Sequence, residues 1–131
     1  MIFVDTGGWY ATVIASEVDH AAAARWLRGN RERLLTTDYV VDEALTLMRS
    51  HGQYGAALVF RTRIFSGQMA DVYYVTEDDI AAAWQVFQQY DDKGWSFTDC
   101  TSKVVMEKLA LTHAFAFDQH FRQFGTVVVV P

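Results

Sequence analysis

Short apolar runs without alternation punctuate this chain. Residues 1–4 (Met-Ile-Phe-Val), Leu34-Leu35-Thr36, Val72-Tyr73-Tyr74-Val75, Phe115-Ala116-Phe117 and the stretch from Thr126 to Val130 are rich in β-branched or aromatic side chains. Such runs suit strands covered on both faces, because a strand with one wet face alternates apolar and polar residues. Between them the period changes to that of a helix. Residues 20–28 hold four alanines with Trp26 and Leu27, and residues 38–49 place Val41, Ala44, Leu45 and Met48 on one stripe. Residues 53–66 carry a weaker pattern, with Tyr54, Leu58 and Phe65 on one side. Residues 77–90 align Ile80, Ala83, Trp84 and Phe87 behind a capping box of Thr76 and Asp79. Residues 99–112, following Thr98, group Val105, Met106, Leu109 and Ala110, and the loop 91–97 turns at Gly94. The succession strand, helices, strand, helices, strand, two helices, strand, short helix, strand predicts an α/β fold, an open sandwich around a mostly parallel sheet.

A length of 131 residues fits one domain spanning 1–131, and a hydrophobic content of 51% excludes disorder. One cysteine, Cys100, leaves no internal disulfide and points to a reducing, cytoplasmic setting. The opening MIFVDTGGWY lacks the basic region of a signal peptide. No apolar stretch approaches the ~20 residues that span a bilayer, so no membrane is expected as a partner. The net charge of −5 argues against nucleic acid, unless some of the acids are there to hold cations.

Ligands of an open parallel sheet collect beyond the carboxyl ends of its strands. Asp5 directly follows the first strand and Asp118 follows Phe117; each is equally readable as a helix cap. Asp99 opens the helix after Ser96-Phe97-Thr98, where capping is again the plain alternative. Glu43 lies on the flank of the apolar stripe of 38–49, beside Val40 and Leu47, while Asp42 and Thr46 point to solvent. A carboxylate on that border reaches water or needs a partner. Converging, the four acids would repel by about 4 kcal/mol per pair at ~4 Å and an effective dielectric of ~20, so they require protons or cations. Oxygen donors without histidine favour Mg²⁺ or Mn²⁺ and the phosphodiester chemistry such ions serve.

Other residues offer less. His20, His51, His113 and His120 lack metal-ligand spacing and are assigned structural or solvent roles. Cys100 has no histidine near it in sequence, Gly7-Gly8 is too short for a phosphate loop, and Asp91 and Asp92 read as loop solvation. Arg25, Arg28, Arg31 and Arg33 form either a solvated face or a phosphate-contacting rim.

The strings VDTGGWYA, TTDYVVDEALTL, SFTDCTSKVVMEKL and AFAFDQHF resemble, in order and spacing, the four acidic motifs of the PIN-domain family, closest to the VapC-type toxins of toxin–antitoxin pairs. The resemblance spans Asp5 to Phe121. It implies a three-layer α/β/α sandwich with a five-stranded parallel sheet and Mg²⁺- or Mn²⁺-dependent endonucleolytic cleavage of RNA, whether tRNA, rRNA or mRNA. It further implies a homodimer and a cognate antitoxin bound near the active site. Asp5, Glu43, Asp99 and Asp118 take the four acidic positions, as catalytic and metal-binding residues, and Thr6 matches a hydroxyl that orients a carboxylate or water. Ala116 departs from the pattern, standing where many relatives carry Ser or Thr two residues before the last acid. Of the aromatic residues of the first two helices, Trp9, Tyr10 and Trp26, some are expected in the core and the others to offer the antitoxin an apolar groove. The alternatives are a housekeeping RNA-processing nuclease, an inactive PIN scaffold for protein binding, and a flavodoxin-like ligand-binding domain.

Overall fold

A computed structural model of the chain describes residues 1–131 throughout. Five strands, β1 (Ile2–Val4), β2 (Leu34–Thr37), β3 (Asp71–Tyr73), β4 (His113–Phe115) and β5 (Val128–Val130), alternate with helices. The helices are α1 (Thr6–Val13), α2 (His20–Gly29), α3 (Asp38–Ser50), α4 (Tyr54–Phe65), α5 (Glu77–Gln89), α6 (Phe97–Lys108) and α7 (His120–Gln123). Each strand lies where an apolar run predicts one, shifted by up to two residues.

All pairings are parallel, in the order β3-β2-β1-β4-β5. The chain steps outward from β1 to β2 and β3, then crosses back to lay β4 against the other side of β1. Strand order therefore reverses between β1 and β4, and a crevice opens beyond their carboxyl ends. Right-handed crossovers place α1 to α4 on one face of the sheet and α5 to α7 on the other. On the first face Trp9 meets Phe60 at 5.7 Å and Trp26 stacks on Phe115 at 4.7 Å; on the second Phe121 stacks on Phe3 at 5.9 Å. Phe3, Val4 and Phe115 are completely buried between these layers, which is why their runs show no alternation.

Helix starts are fixed by side chains. Thr37 caps α3 by accepting the Val40 amide at 3.1 Å, and the capping box of Thr76 and Asp79 opens α5. A second box, Ser96 with Asp99, moves the start of α6 forward from the expected 99 to Phe97. Asp99 is thus the third residue of the helix. The helix also ends earlier than expected, because Ala110 turns to φ 55; Leu109 and Ala110 consequently leave the apolar stripe and lie exposed. Asp79 is buried and accepts from the Tyr73 hydroxyl (2.7 Å), the Thr76 amide (3.0 Å) and the Lys108 ammonium (3.1 Å), tying β3, α5 and α6 together. Burial raises its carboxyl, but those hydrogen bonds outweigh burial and hold it at about 2.

Three apolar assignments are corrected. Helix α4 buries Ala57, Phe60 and Ile64, whereas Tyr54 and Leu58, expected inside, are exposed. Helix α5 turns Ala83 inward and leaves Trp84 and Phe87 stacked on each other in solvent. Trp9, expected on an open groove, is core: it is 1% exposed, and its indole donates to Thr36 Oγ1 (3.0 Å), which donates to Val4 O (3.0 Å).

Helix α1 meets the sheet closely at Gly8. A Cβ there would stand 2.6 Å from Phe115 O and 2.8 Å from Phe115 Cδ1, so α1 rests on β4 only because Gly8 has no side chain. At Gly7 a Cβ would meet nothing closer than Asp5 Oδ1 at 3.7 Å. Gly8→Ala should therefore destabilise the fold by about 1–3 kcal/mol through overpacking. Gly7→Ala should be neutral or stabilising by up to about 1 kcal/mol, since glycine is a poor helix residue. Urea unfolding of both variants checks this; equal stabilities would refute the close approach.

Candidate active site

Asp5 ends the central strand and is 4% exposed. Its Oδ1 accepts the Gly8 amide at 2.7 Å and so caps α1, leaving Oδ2 without a hydrogen-bond partner. Asp99, on the first turn of α6, uses Oδ2 alone for the Ser96 amide (3.0 Å) and for His120 Nδ1 (2.9 Å). Asp118, in the turn between β4 and α7, accepts the His120 amide through Oδ1 at 2.9 Å, and its Oδ2 lies 4.0 Å from His120 Nδ1. Each of the three carboxylates is thus aimed by a backbone N–H through one oxygen and keeps the other free. Capping and clustering, which compete as explanations in the sequence, coexist here.

Glu43 sits half-buried on α3, on the border between buried Ala44 and exposed Asp42, as its place beside the apolar stripe predicts. Because Thr37 starts α3 at the end of β2, this helix leaves the sheet on the side of the crevice. All four acids interact electrostatically. Burial pushes the Asp5 carboxyl well above its ordinary value, the Gly8 amide opposes this, and the charges of Asp118, Asp99 and Glu43 add to it. Asp99 is raised likewise by burial first; the Ser96 amide and His120 oppose, and Asp118 and Glu43 reinforce.

The arrangement favours neutralisation, and its donor chemistry fits a divalent cation. The available atoms are all carboxylate oxygens, which suit hard ions. Thr6, which follows Asp5 in the chain, has its Oγ1 buried without any partner, an orphaned polar atom. As they stand, no three acidic, histidine or cysteine side chains form a ready-made cation cage.

Several assignments change on this geometry. His120, read as structural or solvating, touches two of the four acids; its signal was its place two residues after Asp118. Its backbone amide donates to Asp118, and Ala116 is buried without a hydroxyl to offer that carboxylate. The arginines are not a rim of this site. Arg25 and Arg31 line a groove with Ile2 and His113, the first residues of β1 and β4, and Arg33 pairs with Asp71 at the start of β3 (2.9 Å). They lie at the amino end of the sheet, opposite the acids. Cys100 is buried, and burial followed by the Asp99 charge raises its thiol to about 11, which removes it as a nucleophile.

Comparison with known proteins agrees with the family resemblance. The PIN domain family model matches residues 2–127. The chain is 34% identical over 131 residues to the 23S rRNA-specific endonuclease VapC20 of Mycobacterium tuberculosis, covering 100% of this chain and 99% of that protein. It is 30% identical over 124 residues to a VapC ribonuclease of Archaeoglobus fulgidus, covering 90% of this chain and 77% of the relative. The crystal structure of the M. tuberculosis protein, described as a sarcin-ricin loop cleaving toxin, superposes with a TM-score of 0.92 over 100% of both chains at 33% identity. A toxin–antitoxin complex from Klebsiella pneumoniae shares the fold at a TM-score of 0.68 and 13% identity, over 98% of this chain and 96% of that one.

The raised carboxyls give a stability test. A group whose folded pKa exceeds its unfolded value contributes stability that is complete below the unfolded value, about 4 for Asp, and is lost as pH rises through the folded one. Cation-free protein should therefore lose stability from about pH 4 upward on account of Asp5 and Asp99, and millimolar Mg²⁺ should restore it at neutral pH. Asp99→Asn, which keeps capping ability, should raise the melting temperature in EDTA by a few degrees and weaken the Mg²⁺ effect. Identical melting in EDTA and Mg²⁺, with Asn only lowering it, would reduce these acids to caps.

Proposed function

The chain belongs to the PIN-domain family, in its VapC branch, and from that premise we propose that it is a divalent-cation-dependent endoribonuclease, the toxin of a toxin–antitoxin pair, working as one domain over 1–131. The observation that carries this is the set of three aimed carboxylates, buried Asp5 with Asp99 and Asp118, each with one free oxygen, at the crevice where strand order reverses. Asp5, Glu43, Asp99 and Asp118 are the residues that would hold the ion, Mg²⁺ or Mn²⁺ by donor type. When bound, such an ion supplies a water of lowered pKa and offsets the charge that develops on the leaving oxygen.

The protein's own residues do the positioning. The Gly8, Ser96 and His120 amides fix the carboxylates before substrate arrives, so little reorganisation is left for the reaction. The His120 ring holds Asp99 and stands beside Asp118, coupling α6 to the turn before α7. Thr6, the residue after Asp5, has a hydroxyl to give. Similarity over the whole chain to a protein named for 23S rRNA makes ribosomal RNA the first substrate to test. A housekeeping nuclease would share this chemistry; the likeness to a named toxin supports the toxin reading. No helix is long and apolar enough to cross a membrane, and buried Cys100 suits a reducing cytoplasm.

An antitoxin would find its apolar surface on α4 instead of α1 and α2. Clefts of about 390 Å³ and 310 Å³ flank this helix, the first against Val13 and Met69, the second against Leu45. Tyr54, Leu58 and Val59 are more than half exposed there, and Arg49, Arg61 and Arg63 line the same clefts. An amphipathic helix with acidic flanks matches that surface.

Purified protein should cut ribosomal RNA with Mn²⁺ or Mg²⁺ and stop in EDTA. Asp5→Asn or Asp99→Asn should each slow cleavage by orders of magnitude. Equal rates in EDTA would refute the mechanism. Leu58→Asp, at an exposed position, should abolish co-purification with the product of an adjacent short reading frame while cleavage persists; retained co-purification would remove α4 from the antitoxin contact.

A further inference from the structure

A groove of about 430 Å³ runs away from Asp118 between α1 and α3. Tyr10, Leu47 and His51 line it together with Phe117 and Asp118, and Gly7 brings it to Asp5. We infer that this groove is the subsite for one unstacked nucleotide of the RNA next to the scissile bond, its base held between the His51 and Phe117 rings. The inference rests on the ribonuclease reading above.

Four features support it. The volume lies within the range of roughly 300–1,000 Å³ typical of small-ligand clefts, and that range includes a nucleotide. The rings are held in place before any ligand arrives. Tyr10 donates its hydroxyl to Gln53 Oε1 at 2.7 Å, and His51 donates from Nδ1 to Leu47 O at 2.9 Å. The two rings pack at 5.8 Å. Phe117 stands edge-on to Phe115 at 5.5 Å and 78°, and both it and Tyr10 are only half-buried. Stacking on aromatic faces is how single-stranded nucleic acid is gripped without base pairing.

Charge then decides which part of the nucleotide enters. Glu17 and Asp19 also line the groove, so a phosphate is repelled and a base is admitted. Carboxylates accept hydrogen bonds from base amino groups, as they do from cytosine N4, and so select an amino-bearing base over uracil. Lastly, the floor is open where the groove reaches the acids. A Cβ at Gly7 would sit 3.7 Å from Asp5 Oδ1 and 3.9 Å from Oδ2, so glycine leaves free the space beside that carboxylate.

The test compares the full-length parent with His51→Ala, His51→Phe and Phe117→Leu on ribosomal RNA and on a random-sequence RNA pool with Mn²⁺, mapping the new ends. The stacking of one base is worth roughly 5- to 150-fold in binding. His51→Ala and Phe117→Leu should therefore raise KM about tenfold or more with kcat changed less, and weaken any preference for an amino-bearing base beside the cut. His51→Phe should recover most of the loss, since a phenyl ring stacks without the imidazole's nitrogens. His51 is exposed, so its variants keep the fold even if Phe117→Leu lowers the melting temperature. Unchanged KM and end pattern in His51→Ala would overturn the subsite while leaving the ribonuclease reading intact. A parent that cuts no RNA would overturn both, and a loss that His51→Phe fails to recover would replace stacking with an imidazole-specific contact and overturn the proposal as stated.

Discussion

The structure turns on one buried carboxylate. Asp5 ends the central strand, is 4% exposed, and has one strong backbone donor, the Gly8 amide at 2.7 Å. That bond exists because α1 starts immediately after β1 and lies against β4 with no Cβ at Gly8 to hold it off. The contact in turn needs Phe115 packed in the core and Trp9 anchored through Thr36 to Val4. Burying a charge with one hydrogen bond is costly, and the other three acids make it costlier. The core therefore holds the carboxylate in a state that a proton or a cation relieves, which is the condition an ion site requires.

The same economy recurs at Asp99 and Asp118. An acid at a helix start ordinarily serves the helix end, and each of these accepts a backbone N–H through a single oxygen, Asp99 inside the box that Ser96 caps and Asp118 just before α7. A carboxylate has two oxygens, and a cap uses only one. The remaining oxygens can belong to a shared site without any loss of helix stability. This is why sequence alone leaves capping and a shared ion site as alternatives: one oxygen of each side chain meets a backbone N–H, and the free second oxygen is what the shared site would use.

Much of the fold was legible because it rests on short-range chemistry. Unalternating strands, the Thr76–Asp79 box and the half-buried border position of Glu43 all follow from local pattern and agree with the coordinates. What failed required knowing direction or facing. Chain order does not decide whether Arg25, Arg31 and Arg33 form a solvated face or a phosphate rim, because only the fold shows that a helix returning from a parallel strand ends at the opposite edge of the sheet. Helix α4 is apolar on more than one side, and its periodicity does not say that Ala57, Phe60 and Ile64 lie inside while Tyr54 and Leu58 lie outside. His120 stands two residues after Asp118, but its contact with Asp99 joins positions that are 21 apart and brought together only by tertiary packing.

The net charge of −5 now has a geometry. Acids gather at the carboxyl end of the sheet, and several arginines are held at the amino end, where one of them pairs with Asp71. A protein that gripped RNA mainly through its phosphates would place those arginines around the acids, because phosphate neutralisation supplies most sequence-independent affinity. Here the surface next to the acids is aromatic and acidic, a poor match for backbone and a good one for bases. Recognition then has to come from the shape of the RNA and from bases that leave their stack, the usual way proteins select loops over duplex. A duplex buries its bases and offers mostly phosphate. An exposed loop can offer a base to the groove and bring its backbone to the acids at the same time, so a charge distribution that discourages RNA in general is compatible with choosing one structured site within it.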